Sequence, residues 1–287
     1  QTIWENWQQS EGPCEGCPAN WKERTDVPDR FQSGMHPHDC GTRPWVAIGY
    51  ADADVAILAQ EPGKKTLDDR KQPIDLSNNV EVDDFPWDPD LSRVYDDEDS
   101  SLRFVEPLIT GLSEIGIKVY FSNTKKCNEI SDREIGSEIE VQGSPKKQNE
   151  EAENACAGLD EDISYLKEEL ASINPDVVVP LGNDAVQSLC RAYGVDCGYD
   201  KITDHVTADI QNTGYVSPLS ENSFPFSAIP MLHPSNNWAQ DGFDRTVPKG
   251  SVPGADLQDN RKMNFAVFYH DLLQHQLRTD GWSVYCD

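Results

Sequence analysis

The sequence predicts an α/β fold, a three-layer α/β/α arrangement around a central, mostly parallel four-stranded sheet. Two observations lead to this prediction. Four short apolar runs have the continuous hydrophobicity of strands buried on both faces, and amphipathic stretches with helical spacing lie between them. Strands that alternate with helices form a parallel sheet, because each helix carries the chain back to the edge where the previous strand began.

The predicted strands span residues 54–60, 118–123, 176–181 and 226–233. The predicted helices span residues 101–115, 160–173, 183–193 and about 257–277. Two polar, acid-containing stretches, at about 64–100 and 129–150, interrupt this alternation and exceed ordinary loop length. We therefore expect a single domain over residues 1–287, with insertions at those two places.

The charge of the chain is strongly negative. Its 51 acidic and 24 basic residues give a formal net charge of −27, whereas nucleic-acid-binding proteins usually carry a basic surface. The acidic residues are spread along the chain between intact apolar runs, which is typical of a halophilic protein. In ~1 M salt the Debye length falls to ~3 Å, so distant acidic residues hardly repel phosphate. Intrinsic disorder, the rival explanation, fits only the two insertions.

Features that would send the chain to or across a membrane are missing from the sequence. No apolar run approaches the ~18–20 residues of a membrane span. Residues 1–5 lack the charged-then-apolar pattern of a signal peptide, and the missing initiator Met leaves room for a removed earlier segment. We expect a soluble, cytoplasmic monomer without a membrane partner.

Polar residues follow three of the predicted strands. Gln60 and Glu61 come after the first, Asn123 ends the second, and His233 ends the fourth. Each alone is typical of an ordinary polar residue at a strand end. Because ligands of an open parallel sheet bind at the carboxyl ends of its strands, the three positions together favour one functional crevice.

The motifs around these residues resemble those of the uracil-DNA glycosylase superfamily. Residues 59–63 (AQEPG) resemble its first active-site motif, and residues 231–235 (MLHPS) resemble its second. Residues 120–127 (YFSNTKKC) are similar to its uracil-reading strand and loop, and residues 173–182 (INPDVVVPLG) to the strand between. The resemblance implies a DNA repair glycosylase. Such an enzyme flips uracil out of DNA, hydrolyses its N-glycosidic bond and leaves an abasic site.

The cysteines resemble a narrower group within that superfamily. Cys14 and Cys17 have the CxxC spacing that zinc or an iron–sulfur cluster can use. With Cys127 and Cys156 they resemble the ligands of family-four glycosylases, which implies a 4Fe–4S cofactor. Tetrahedral zinc is an alternative, as is a core role for Cys127 and Cys156. The remaining cysteines are interpreted as free thiols, since disulfides are rare inside cells: Cys40, Cys190, Cys197 and Cys286.

The resemblance also implies roles in catalysis and base recognition. Family four has Gly-Glu-Ala-Pro-Gly in its first motif, whereas the Gln60–Glu61 order is closer to family one, whose acid positions the attacking water. Glu61 and His233 are therefore the expected catalytic residues, with His233 donating to uracil O2. Asn123 would read uracil O4 and N3–H. Gln60 and Gly63 would line the pocket, although Gly63 cannot exclude thymine as the family-one Tyr does.

Contacts to the stacked base and to DNA complete the expected site. Phe104 is the expected stacking residue, with Phe85 or simple core packing as alternatives. A loop after the second motif would enter the DNA helix through Ser235, Asn236 and Trp238. Four lysines near the expected mouth of the pocket could hold phosphates or form ordinary solvated surface: Lys64, Lys65, Lys125 and Lys126.

Two other functions fit the same motifs. One is a glycosylase for another deaminated base such as hypoxanthine, which the acidic Glu61 makes credible. The other is a non-catalytic iron–sulfur DNA-binding scaffold. The presence of both Asn123 and His233 argues against the scaffold, because a binding module needs neither.

Overall fold

The computed structural model describes residues 48–60, 109, 111–113, 116–126, 156–158, 164–198, 201–202, 204–206, 209, 216–219 and 223–233. These residues form a five-stranded sheet with the order β1-β3-β2-β4-β5. The strands are β1 (Ile48–Gly49), β2 (Val55–Ala59), β3 (Val119–Asn123), β4 (Val177–Pro180) and β5 (Ser227–Ala228). Two helices lie entirely within the described residues: α1 (Tyr165–Ile173) and α2 (Gly182–Tyr193).

The four strands β2 to β5 are parallel, which confirms the predicted fold class. The sheet also has an antiparallel edge strand, β1, which pairs with β3. Sequence periodicity did not predict β1 because two residues are too short to form a pattern. The expected insertions at about 64–100 and 129–150, and the helix at about 257–277, lie outside the described residues.

The two helices begin and end at residues suited to those positions. Ser164 precedes α1, and its side chain accepts a hydrogen bond from the backbone N–H of Lys167 at 3.2 Å. Asn174 ends α1 in the left-handed conformation, with φ of 52°. Gly194 ends α2 in the same region, with φ of 66°. α1 begins at Tyr165, five residues after the predicted start at residue 160, and α2 begins at Gly182, one residue before its predicted start.

β5 continues beyond its two strand residues as a hydrogen-bonded ladder. The N–H groups of Ser227, Ile229 and Met231 donate to carbonyls of residues 176, 178 and 180 at 2.9–3.0 Å. Pro230 falls between two of these donors, at a position whose nitrogen faces away from β4, so it does not break the ladder. Within the predicted strand at 226–233, the segment from Ser227 to Met231 therefore pairs with β4.

The sheet is buried on both faces, as the continuous apolar runs predict. Every residue of β2, β3 and β4 is buried, and α2 contributes Val186 and Leu189, which are fully enclosed. Burying one such side chain contributes ~1.5–3 kcal/mol, so these runs dominate the stability of the described core. None of the helices in the described part of the chain has the length and apolar character needed to cross a bilayer.

One expectation about the cysteines is wrong. Cys190, near the end of α2, forms a disulfide with Cys197, and their Cα atoms are 6.0 Å apart. The turn at Gly194 brings them together, because its left-handed conformation reverses the chain after the helix. The expectation of free thiols rested on the cellular compartment and not on the geometry of this turn. Cys40 and Cys286 lie outside the described residues.

Candidate functional site

The carboxyl ends of the parallel strands meet along one edge of the sheet. Asn123 at the end of β3 pairs with Ala59 at the end of β2. After β4, the N–H of Leu181 donates to the carbonyl of Leu58 at 2.8 Å, and Leu181 pairs with Met231 through an isolated parallel bridge. This edge is the binding edge of an open parallel sheet. The strand order also changes direction here, since β3 lies on one side of β2 while β4 and β5 lie on the other.

The segments that leave β2 and β3 are held together by backbone hydrogen bonds. The carbonyl of Gln60 accepts from the N–H of Lys125 at 2.8 Å and from the hydroxyl of Thr124 at 3.1 Å. The N–H of Thr124 donates to the carbonyl of Ala59 at 2.8 Å. These bonds extend the β2–β3 pairing past both strands. Gln60 and Asn123 are therefore brought to the same place, as the sequence predicts.

Asn123 is a buried amide at the end of a central strand. The residue is 3% exposed, and its position in β3 puts its side chain on the opposite sheet face from Ser122. No hydrogen bond to the Asn123 side chain is found among the residues that the structure describes. The amide offers both a donor and an acceptor, so it is suited to a ligand that offers one acceptor and one donor.

His233 lies against the start of α2. The N–H of Gly182 donates to the carbonyl of Met231 at 2.7 Å, which ties the chain after β5 to the end of β4. Gly182 has φ of +83°, and a Cβ built on it would lie 3.0 Å from the Cβ of His233. A side chain at this position would therefore push His233 away. The glycine allows His233 to approach the centre of the binding edge.

Two lysines that follow Asn123 are buried in the protein core. Lys125 is fully buried and Lys126 is 3% exposed. The Nζ of Lys126 pairs with the carboxylate of Glu169 on α1 and donates to the backbone carbonyl of Asn123 at 2.5 Å. The expectation that these two lysines lie at the mouth of the pocket to hold phosphates is therefore wrong. Lys64 and Lys65, the other pair, lie outside the described residues.

Cys156 lies beside the same segment. It is 7% exposed, and burial raises the pKa of its thiol. A hydrogen bond from the backbone N–H of Lys126 and the positive charges of Lys126 and Lys125 oppose that rise in pKa by favouring the thiolate. The next residue in the sequence after Lys126 is Cys127. Within the described ranges, which contain Cys156 but not Cys14, Cys17 or Cys127, no group of three metal-binding side chains is found.

The structure thus brings together Gln60, Asn123 and His233 at one sheet edge and places Cys156 beside the segment that follows it. The other expected site residues lie outside the described part of the chain: Glu61, Gly63, Phe104, Ser235, Asn236, Trp238, Cys14, Cys17 and Cys127.

Sequence reasoning missed Gly182 and Glu169. A glycine directly after a buried strand is a signal of a positive φ or a close approach, so Gly182 could have been found. Glu169 could not, because it is one of several acidic residues on an amphipathic helix. Only the packing of α1 on β3 distinguishes it from its neighbours.

Comparison with known protein families identifies a match that covers most of the chain. The sequence model of the family described as "Uracil DNA glycosylase superfamily" matches residues 47–246 of the 287-residue chain. No curated protein matches the chain significantly.

Proposed function

The chain belongs to the uracil DNA glycosylase superfamily, and from this membership we propose that it excises uracil from DNA. The proposal depends on the polar residues that lie together at the carboxyl ends of the parallel strands. A buried Asn123 amide, without a hydrogen-bond partner among the described residues, shares the binding edge with His233. The proposed reaction is hydrolysis of the bond between N1 of uracil and C1′ of deoxyribose.

Asn123 would select uracil by hydrogen-bond complementarity. Its amide N–H donates to uracil O4, and its amide oxygen accepts from N3–H. Cytosine offers the opposite pair of groups, an amine and an unprotonated ring nitrogen. Placing it against the same amide would oppose donor to donor and acceptor to acceptor in a buried site, at a cost of ~1–3 kcal/mol for each unsatisfied group.

His233 and Glu61 would act on the bond that breaks. As the N1–C1′ bond breaks, its electron pair moves onto the uracil ring, and His233 donates a hydrogen bond to O2 as negative charge develops there. Glu61 orients a water molecule whose oxygen bonds to C1′, and the proton released from that water leaves the sugar neutral. The uracil anion takes up a proton after departure. Only interactions that strengthen during bond breaking accelerate the reaction.

Asn123 and His233 approach the binding edge from different strands of the sheet. The backbone at Asn123 and the backbone at Gly182 are separated by two inter-strand spacings, roughly 10 Å. His233 packs against Gly182 from the side of β5. Gln60, Gly63 and Phe104 are proposed to contact the base, and Ser235, Asn236 and Trp238 to contact the DNA.

We also propose that Cys14, Cys17, Cys127 and Cys156 bind a 4Fe–4S cluster. Burial and the charge of Glu169 raise the pKa of the Cys156 thiol, whereas the backbone N–H of Lys126 and the charges of Lys125 and Lys126 favour the thiolate form that a cluster ligand needs. Lys126, whose backbone N–H bonds to the sulfur of Cys156, immediately precedes Cys127 in the sequence. When bound, the cluster would tie the N-terminal segment to the loop after β3, a structural role.

Anaerobic purification tests the cluster. The wild-type protein should be brown, with broad absorbance near ~400 nm, a region typical of thiolate-ligated iron, and chemical analysis should find iron. Cys156→Ser should lose both colour and iron, whereas Cys197→Ser, which removes a cysteine of the disulfide, should keep them. A colourless wild-type protein with stoichiometric zinc would show that the site is a zinc site.

The acidic composition leads to a proposal about the setting of the reaction. We propose that the protein acts as a cytoplasmic monomer on DNA in concentrated salt, because its net charge of −27 would repel phosphates in dilute buffer.

Single-turnover cleavage of a panel of oligonucleotides tests the proposed activity. The panel carries uracil, cytosine, thymine or hypoxanthine at one position, and the reaction is run in molar salt. Uracil should be released fastest, and His233→Ala should slow that release by about 10²–10³-fold while DNA binding changes little. His205→Ala is the matched control, since the ring of His205 contacts the carbonyl of Ser217 and the carboxylate of Asp209 and has no part in the proposed reaction. Preferential release of hypoxanthine would assign another base to the site, and no release of any base would favour the scaffold.

A further inference from the structure

The carboxylate of Glu169 accepts hydrogen bonds from three side chains, two on one face of β3 and one in the segment that follows it. Its Oε1 accepts from the hydroxyls of Tyr120 and Ser122, both at 2.7 Å. Its Oε2 pairs with the Nζ of Lys126. Tyr120 and Ser122 are two residues apart, so they share the face of β3 that α1 covers. Burial and the charge of Glu169 raise the pKa of Tyr120 well above its usual value, so its hydroxyl remains a donor.

The Lys126–Glu169 pair is buried. The side chains are 4% and 16% exposed, so both charges have lost most of their water. A pair of this kind often stabilises a protein no better than apolar side chains of the same size, because desolvation offsets the attraction. A gain in folding stability is therefore a weak explanation for a lysine and a glutamate at these positions.

The remaining contacts of Lys126 point to a positioning role. Its Nζ donates to the hydroxyl of Ser122 at 3.0 Å and to the backbone carbonyl of Asn123 at 2.5 Å. Asn123 is the last residue of β3, where the ladder to β2 ends. The lysine thus holds the peptide unit that follows Asn123 from the sheet face opposite its side chain. Glu169 in turn holds the lysine.

We propose that the Lys126–Glu169 pair positions Asn123 for base reading, so that α1 contributes to base recognition without touching the base. This inference rests on the proposed function of Asn123. A carbonyl anchored by a buried cation fixes the backbone from which the Asn123 side chain extends. An enzyme whose catalytic groups are displaced by about 1 Å can lose about 10²-fold in rate. Partial loosening of the Asn123 backbone is expected to lower the rate by less than that.

Two substitutions in the full-length protein separate the pair from its surroundings. Lys126→Met removes the donor but keeps the backbone N–H beside Cys156. Glu169→Gln keeps an oxygen for Tyr120 and Ser122 but removes the negative charge. Lys126→Met should lower the single-turnover rate on uracil about tenfold, with the Kd for DNA within about twofold. The double variant Lys126→Met/Glu169→Gln should show the same loss of rate without an unpaired buried charge.

Lys118→Met is the matched control. Lys118 precedes the other end of β3 and pairs with Asp52 in solvent, so its loss should leave the rate unchanged. Iron content is measured for every variant, so that a change at the neighbouring cysteines is not mistaken for a change at Asn123.

A double-mutant cycle distinguishes positioning from general destabilisation. If Lys126 acts through Asn123, Lys126→Met should have no further effect on the residual uracil rate of Asn123→Ala. An equal tenfold loss in both backgrounds would show that Lys126 is merely structural and would overturn the proposal. So would an unchanged rate for Lys126→Met in the wild-type background.

Hydrogen exchange provides a readout that does not require uracil excision. Lys126→Met should speed backbone exchange in the peptide that covers residues 119–126 while leaving the peptide over β4 and α2 protected. If the wild-type protein releases no uracil, the proposed function fails, and the exchange result still decides whether Lys126 holds the end of β3. Unchanged exchange at residues 119–126 would overturn the positioning role.

Discussion

Gly182 determines how closely the backbone after β4 can approach His233. Its φ of +83° is a conformation that residues with a Cβ adopt at a cost of ~1–2 kcal/mol, and an added Cβ would lie 3.0 Å from the Cβ of His233. Gly182→Ala should therefore reduce both the free energy of unfolding and the single-turnover rate on uracil. The rate loss should exceed any change in DNA affinity, since the displaced group is the imidazole.

Gly194→Ala is the control for the backbone penalty. Gly194 has φ of +66°, but a Cβ built on it would meet no atom within 4 Å. Unfolding in denaturant should show that both variants are destabilised, and kinetics should show a slower reaction for Gly182→Ala alone. Equal rates for both variants would mean that contact between Gly182 and His233 has no part in catalysis.

At the level of single residues, strand ends were the most informative signal in the sequence. Gln60, Asn123 and His233 each follow an apolar run, and parallel strands bring their carboxyl ends to one edge, so their convergence could be predicted. The burial of Lys126 could not be predicted. Its partner Glu169 lies 43 residues away on a helix, and a lysine pair after a strand is usually solvated.

The disulfide between Cys190 and Cys197 fixes the end of one secondary-structure element, the helix α2. It joins the last turn of α2 to the segment that reverses direction at Gly194, with seven residues of separation. Closing so short a loop restricts the unfolded chain by an amount worth ~2 kcal/mol. Cys197→Ser should therefore lower the free energy of unfolding by about that amount in oxidising buffer.

Thermal unfolding with and without a thiol reductant checks this prediction. Reductant should lower the melting temperature of the wild-type protein toward that of Cys197→Ser and should leave the variant unchanged. If reductant has no effect on the wild-type protein, and a thiol assay finds both cysteines free, the disulfide does not form in solution.

Element boundaries could be predicted to within one or two residues where burial was continuous. β2, β3 and β4 are each one or two residues shorter than their predicted spans, and backbone hydrogen bonds continue the pairing beyond their ends. The fourth predicted strand contains Pro230, and its hydrogen bonding to β4 nevertheless continues past β5 as far as Met231. β1 carries no periodic signal, and the left-handed turn at Gly194 that permits the disulfide is a property of tertiary structure.

At the scale of the whole molecule, the net charge of −27 opposes the binding of a polyanion. Between ~0.1 M and ~1 M salt the Debye length falls from ~10 Å to ~3 Å, so repulsion from distant acidic residues should nearly vanish. Uracil excision should be weak in dilute buffer and rise toward molar salt. Ordinary DNA-binding proteins show the opposite trend, because they lose affinity as salt displaces their phosphate contacts.

A salt series of Kd and single-turnover rate measures this dependence. The melting temperature is recorded over the same series as a control, because an acidic protein can also gain stability as salt screens its self-repulsion. Activity that decreases continuously from low salt upward would contradict a halophilic role for the acidic surface.

The central claim is that Asn123 at the end of β3 reads the base, and Asn123→Asp tests it most directly. An ionised carboxylate presents only acceptors, so it opposes uracil O4 but can accept from the amine of cytosine. The measurement is single-turnover cleavage of matched oligonucleotides that carry one uracil or one cytosine, with Asn123→Ala as the control. We expect Asn123→Asp to lose most uracil excision and gain weak cytosine excision, and Asn123→Ala to lose uracil excision without that gain. Uracil excision by Asn123→Asp at the wild-type rate would show that base recognition takes place elsewhere.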